Sequence, residues 1–281
     1  DMPLDFSDIR GQASAKRGLL IAAAGGHNIL LYGPPGTGKT MLARAFAGIL
    51  PPLSFDEALE VSGIHSVAGA LHGDLITAPP FRAPHHTASY VSLVGGGTFP
   101  RPGEITLAHR GVLFADEFPE FERRVIEALR QPLEDKIISI SRAKSSLMFP
   151  ADFILVAAMN PCPCGHAGSS KKQCTSSGND IVRNRPKIPG PLMDRIDAWV
   201  SVGDVEYGEL AKPQSEKSET KILREQVAKA RAIQQKRFMK NKKKDVVESR
   251  RLRPLNSAMS ARDISQLVLS SRVKQLLETS A

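Results

Sequence analysis

The 281-residue sequence holds only three cysteines, and all of them fall between positions 162 and 174. So few thiols, confined to one short stretch, exclude the disulfide framework of a small secreted domain. No apolar run approaches the roughly 18 residues that a membrane-spanning helix needs. No charged-then-apolar segment of secretory type opens the chain. Convincing internal repeats are absent, and so is any base-reading motif such as a zinc finger or a basic leucine zipper. These absences leave a chain expected in the cytoplasm, with 41% hydrophobic and 24% charged residues. Its length can bury a substantial core, as one large domain or two. The start at Asp1, without an initiator methionine, reads as an excised fragment.

The net charge of +9 is unevenly spread. Residues 217–253 carry fourteen Lys or Arg against four Asp or Glu, so the rest of the chain is close to neutral. Positive charge this concentrated is a candidate polyanion surface. A plainer alternative also fits: a solvated helix face followed by a loop containing KNKKKD.

The stretch NILLYGPPGTGKTMLARAFA, residues 28–47, joins a short apolar run to a helical pattern through Gly-Pro-Pro-Gly-Thr-Gly-Lys-Thr. Residues 28–32 read as a buried strand and 41–47 as the first turns of a helix. Gly33, Gly36 and Gly38 let the backbone around Pro34, Pro35 and Thr37 wrap closely. Its N–H groups then converge on a polyphosphate at a helix N-terminus. Lys39 reaches the β- and γ-phosphates of ATP, and the Thr40 hydroxyl ligates Mg²⁺. A simple Gly-Pro turn is the alternative, and the strand-loop-helix context argues against it.

A phosphate loop needs a carboxylate at the end of a neighbouring strand, and GVLFADE supplies two. Asp116 would approach Mg²⁺, while Glu117 polarises the attacking water. Either alone is compatible with a strand ending in a charged turn. The apolar run FILVAAMN ends in Asn160, whose amide can orient water or sense the γ-phosphate; Asn160 and Pro161 also suit an ordinary turn. In GPLMDRID, Arg195 stands between two aspartates, and by itself reads as a surface ion pair.

Residues 1–203 alternate short apolar runs with helical patterns, which predicts an α/β fold around a mostly parallel sheet. Helices are expected over 14–24 and 121–129, buried strands over 111–115 and 153–158, and an extended piece over 137–141. Residues 62–110, rich in Gly, Pro, His and Ser, read as a functional insert or a partly disordered one. The polar stretch 205–218 reads as a linker. Leu223, Val227 and Ala230 then stand at helical spacing within 219–240. The expected organisation is a core over 1–204, a linker over 205–218 and a smaller helical region over 219–281.

Taken in order, GPPGTGKT, GVLFADE, LVAAMNPCPCG and GPLMDRID resemble the AAA+ ATPases of the magnesium-chelatase-like branch, nearest to the ComM (YifB) competence-protein family. DFSDIRGQ, FRAPHHTAS, LVGGG, PRPGEITLAHRG and ALRQPLED carry the same resemblance, which covers most of residues 5–203. It implies a P-loop NTPase of the AAA+ type with helices on both sheet faces, followed by a helical lid. Lys39 and Thr40 would be the phosphate-loop ligands, Asp116 and Glu117 the Walker B pair, and Asn160 the first sensor. Arg195 would be an arginine finger reaching the nucleotide of a neighbouring subunit in a homo-oligomeric ring, expected as a hexamer. Arg82, His85 and His86 would belong to an insertion hairpin facing the ring's pore. The expected activity is ATP-driven branch migration on DNA; a metal-insertion motor and a protein-remodelling module are the alternatives. The family's second arginine sensor would lie beyond Ala281, because LNSAMSARDI around Arg262 matches a segment upstream of it. A Lon-protease-like domain would precede the ATPase.

Cys162, Cys164 and Cys174, with His166 nearby, have a spacing compatible with tetrahedral zinc. The family pattern places a further cysteine where this chain has Ser176, and a loop of reduced thiols without metal is the favoured alternative.

Overall fold

The computed structural model describes the chain except residues 1–3, 72, 98–99, 143–144, 163, 166, 168–171, 177–187, 206, 211–217, 242–253 and 281. In chain order its strands are β1 (Ile29–Tyr32), β2 (Phe81–Arg82), β3 (Gly95–Gly96), β4 (Arg101–Pro102), β5 (Val112–Ala115), β6 (Ile137–Arg142), β7 (Ser145–Pro150), β8 (Ile154–Met159) and β9 (Ala198–Ser201). Five of them form one parallel sheet in the order β2-β5-β8-β1-β9. The antiparallel pairs β3–β4 and β6–β7 stand apart from it.

Both faces of the sheet are covered, as strands written in unbroken apolar runs require. Leu30 points into one cluster with Leu113, Leu155 and Phe118, while Ile29 and Leu31 point into the other with Phe46, Phe114 and Val156. All six residues of β8 are buried. The second face is closed by α1 (Ala13–Gly25) and α2 (Lys39–Ile49), with the long helix Glu219–Asn241 packed across both. Val227 of that helix is buried in the cluster.

Helix α1 ends where Gly26 takes the left-handed conformation (φ 72°), which a glycine adopts without a Cβ clash. Its last carbonyls then need partners. Arg231 donates to the Ala23 carbonyl (2.6 and 3.0 Å) and Gln234 to that of Ala24 (3.0 Å). A cation at a helix C-terminus also suits the helix dipole.

The stretch 62–110, expected as one insert, is shared between several elements. It holds the end of α3 (Phe55–Ala68), two one-turn helices, the β3–β4 pair and β2, an edge strand of the main sheet. A two-residue strand carries no readable periodicity, which is why the sequence pattern does not reveal it.

An ion cluster ties α3 to the entry of β5. Arg110 Nε lies 3.1 Å from Glu60 Oε2 and its Nη1 lies 2.9 Å from Asp152 Oδ2. The Asp152 amide donates to His109 Nδ1 (2.9 Å). That leaves the ring proton on Nε2, which is 3.2 Å from Glu60 Oε2. Hydrogen bonding from His109, reinforced by Arg110, holds the Glu60 carboxyl at about 2, below its ordinary 4.5. A carboxylate depressed on folding stabilises the fold above its unfolded value, and that contribution is lost as pH falls through the folded value. Glu60→Gln is therefore expected to flatten the acid limb of a Tm-against-pH curve between about 4.5 and 2. An unchanged limb would show that the cluster does not govern acid stability.

Candidate active site

The C-terminal edge of the sheet brings three predicted groups together. Between β1 and α2 the chain turns through residues 33–38, with Gly36 and Gly38 at positive φ (77° and 91°). A Cβ on either would meet nothing within 4 Å, so both face an open cradle. Gly33 differs, since a Cβ there would fall 1.9 Å from the Val202 carbonyl oxygen. The loop is thus pressed against the exit of β9, and the Thr37 hydroxyl pins it by donating to the Pro34 carbonyl (2.8 Å). Gln12 braces it from outside, donating to the carbonyls of Thr37 (3.2 Å) and Gly203 (2.7 Å). Gln12 closes the DFSDIRGQ stretch of the family resemblance, which carries no indication of this bracing contact.

Lys39 is buried, and its Nζ donates to the carbonyls of Gly33 (2.7 Å) and Pro34 (2.8 Å) and to Asn160 Oδ1 (3.2 Å). Burial pushes its pKa down, and the carboxylates of Asp116 and Glu117 offset part of that effect. The ammonium thus sits beside the open cradle, where a polyphosphate oxygen can replace a carbonyl partner. Thr40 Oγ1 donates to Asp116 Oδ2 (2.7 Å), across the gap between α2 and the end of β5. A hydroxyl and a carboxylate oxygen so placed fit a hard divalent cation.

Glu117 follows in the left-handed conformation (φ 49°, ψ 44°), a strained state for a residue with a side chain. Its Oε2 lies 3.2 Å from His86 Nδ1. His86 stacks near His85, with ring centroids 4.2 Å apart. The two histidines follow β2 in an irregular segment. They line a cleft of about 600 Å³ together with Gly36, Lys39, Asp116 and Asn160. Arg82 is committed elsewhere, paired twice with Glu104 at 2.6 Å. Of the three residues expected in one insertion hairpin, the two histidines line the cleft and Arg82 does not.

Arg195 lies at the other edge of the sheet. It precedes β9, whose Ala198 pairs with Ile29 at the start of β1, whereas the phosphate loop follows the end of β1. Its Nε and Nη2 both donate to Glu134 Oε1 (3.1 and 2.9 Å).

The three cysteine sulfurs converge beside the cleft, with Sγ–Sγ distances of 3.3 Å (162–164), 3.5 Å (164–174) and 3.7 Å (162–174). His166 lies outside the described residues.

With β8 and the amide that follows it set between the strand of the phosphate loop and the strand of the carboxylate pair, the topology is that of an α/β P-loop NTPase fold of the AAA+ type. Residues 5–210 match the family described as magnesium chelatase, subunit ChlI, and the chain belongs to that family. It is 50% identical over 235 residues to the competence protein ComM of Haemophilus influenzae, covering 83% of this chain and 46% of that protein. Against the uncharacterized protein YifB of Escherichia coli strain K12 the identity is 47% over 234 residues, with coverage of 83% and 46%. The magnesium-chelatase 38 kDa subunit of Rhodobacter capsulatus is 30% identical over 174 residues, covering 56% and 50%. The chain thus spans about half the length of the curated relatives it matches. A chain of the BchI–BchD magnesium chelatase complex, from a 7.5 Å cryo-EM reconstruction, aligns with a TM-score of 0.53 at 23% identity. That alignment covers 82% of this chain and 76% of the other and shows a shared fold. Among the described residues, no helix is long and apolar enough to cross a membrane.

Proposed function

We propose that the chain is the ATP-hydrolysing module of a homo-oligomeric ring, a hexamer, that moves along DNA and drives branch migration in natural transformation. Residues 1–204 form the core, 205–218 the linker and 219–281 a helical lid region whose first helix packs back onto the core. The observation that carries the ATPase half is the meeting of Lys39, Thr40, Asp116 and Glu117 around one open cradle. The DNA half rests on the 50% identity to the competence protein ComM.

Each residue then has a physical task. Lys39 neutralises the β- and γ-phosphates, exchanging its backbone carbonyl partners for phosphate oxygens. Thr40 and Asp116 would hold Mg²⁺, which would supply neutralisation of charge on the phosphate oxygens. Glu117 takes the proton of the attacking water, and Asn160 orients that water from the neighbouring strand tip. Arg195, supplied by the adjacent subunit, stabilises the charge that develops on the transferred phosphoryl group.

A metal-insertion motor is the second reading, favoured by the 30% identity to the magnesium-chelatase 38 kDa subunit. ATPase assays on the full-length protein, with and without branched DNA, separate the two. Stimulation by DNA is the expected result. Turnover that ignores DNA but responds to partner subunits would favour the chelatase reading, and assembly on ATP without turnover would favour a remodelling module.

DNA affinity should also fall with salt, at a log–log slope of about −0.7 to −0.9 per phosphate contact. Lys242, Lys243 and Lys244 lie in the basic stretch outside the described residues. Neutralising all three is expected to flatten that slope and weaken every DNA sequence alike. An unchanged slope would exclude them as phosphate contacts.

A further inference from the structure

The loop that leaves the sheet after Asn160 carries a feature that ATP hydrolysis does not need. Its three thiols form a triangle with edges of 3.3, 3.5 and 3.7 Å. A disulfide would bring two of them to ~2.05 Å and leave the third apart. In a tetrahedral zinc site with Zn–S of ~2.3 Å, geometry sets the S–S edge at about 3.8 Å. The observed triangle is close to one face of such a tetrahedron.

The backbone supports the same arrangement. The Ala167 amide donates to Cys162 Sγ (3.3 Å), stabilising negative charge on that sulfur. The Gly165 amide donates to the Cys162 carbonyl (2.9 Å), closing a tight turn in which Gly165 takes a φ of 81°. This turn points both Cys162 and Cys164 at Cys174. On the far side, Ser176 Oγ accepts from the Cys164 amide (3.2 Å), which ties the segment carrying Cys174 to the turn.

We propose that Cys162, Cys164 and Cys174 bind one zinc ion as three thiolates, and that the ion clamps the Asn160 loop in the shape that seats it against the phosphate loop. A Cβ on Gly165 would fall 2.8 Å from Pro35 Cδ, so the cysteine turn sits directly on the phosphate loop. Asn160, two residues before Cys162, shares a hydrogen bond with Lys39 (3.2 Å). The ion therefore acts as a structural support for two groups of the nucleotide cleft, and the cysteines are positioning residues. The metal site stands on sulfur geometry alone, whereas its effect on nucleotide rests on the ATPase reading above.

The test uses the full-length protein purified under reducing conditions. Metal analysis after gel filtration against a weak chelator is expected to find about one zinc per chain. Replacement by Co²⁺ should give thiolate-to-cobalt charge-transfer absorption, which Cys174→Ser weakens and the triple variant Cys162→Ser/Cys164→Ser/Cys174→Ser abolishes. Because the triple variant can fail to fold, thiol alkylation is followed on the wild-type protein as well. The three cysteines should resist the reagent until a strong chelator is added. Zinc lost to the weak chelator, a cobalt spectrum without the charge-transfer band, or thiols equally reactive before and after chelation would each overturn the site. Stripping the metal is further expected to weaken binding of a fluorescent ATP analogue by about tenfold, the scale on which a supporting shell acts. A site that holds zinc with unchanged nucleotide affinity would overturn the clamp while leaving the metal assignment intact. A protein that holds zinc but binds no nucleotide at all would instead count against the ATPase reading.

Discussion

Glu117→Gln is expected to lower ATP turnover by about 10²–10⁴-fold, the range in which a positioned general base acts, while ATP binding stays near normal. Glutamine has the shape of glutamate and still hydrogen-bonds, but it cannot take a proton from water. The groups that would hold the phosphates and Mg²⁺ are untouched by the change: Lys39 keeps its place at Gly33 and Pro34, from which it trades carbonyl for phosphate partners, and Thr40 still faces Asp116. The backbone strain at Glu117, a φ of 49° between β5 and a short 3₁₀ turn, is also unaltered, because it belongs to the main chain. A strained residue beside a reaction centre needs surroundings that over-determine it, and here His86 meets the side chain while Asp116 Oδ1 accepts from the Glu117 amide (3.0 Å). Fluorescent-nucleotide binding and phosphate release, measured on one preparation, separate the two effects. Parallel loss of binding and turnover would assign Glu117 to the phosphate cradle rather than to proton transfer. Lys39→Ala provides the contrast, since removing the buried ammonium should abolish binding itself.

The sheet and the cleft were unequally legible in the sequence. Strands β1, β5 and β8 were readable because they are buried on both faces and therefore written as continuous apolar runs ending in functional residues. The helices over 13–25 and 219–241 declared themselves through spacing. Strands β2 and β9 did not. Two residues cannot show a period, and β9 lies at the sheet edge with alternate residues half exposed. The phosphate loop was legible because its chemistry fixes residue types at consecutive positions. The contacts of Gln12 and His86 were not, since each reaches the cleft from a distant point in the chain through tertiary packing. The same holds for the cysteines. Their spacing raised the question of metal, and only folding brings Cys174 to within 3.7 Å of the other two sulfurs.

Arg195→Ala is expected to collapse hydrolysis by roughly 10³–10⁵-fold, the usual worth of an arginine finger, with ATP binding again near normal. Within one chain Arg195 cannot reach the phosphate loop along the sheet. It precedes the first residue of β9, while the loop follows the last residue of β1, and these four-residue strands are in register. At ~3.3 Å per residue, the strand alone separates the two edges by about 13 Å. The side chain is half exposed and held by Glu134, whose carboxyl Arg195 and Arg130 together draw below its ordinary pKa. A cation presented this way on an outer edge suits a role in the neighbouring subunit's site. Mixing variants tests that arrangement directly. Glu117→Gln subunits keep the finger but have inactive sites, whereas Arg195→Ala subunits keep their sites and lack the finger. In a mixed ring, a Glu117→Gln subunit can place its Arg195 against ATP held by an Arg195→Ala neighbour. Mixtures should therefore hydrolyse ATP faster than either variant alone, with a maximum near equal proportions. If mixed rings assemble and no activity returns, Arg195 does not act across the subunit boundary, and its pairing with Glu134 is structural.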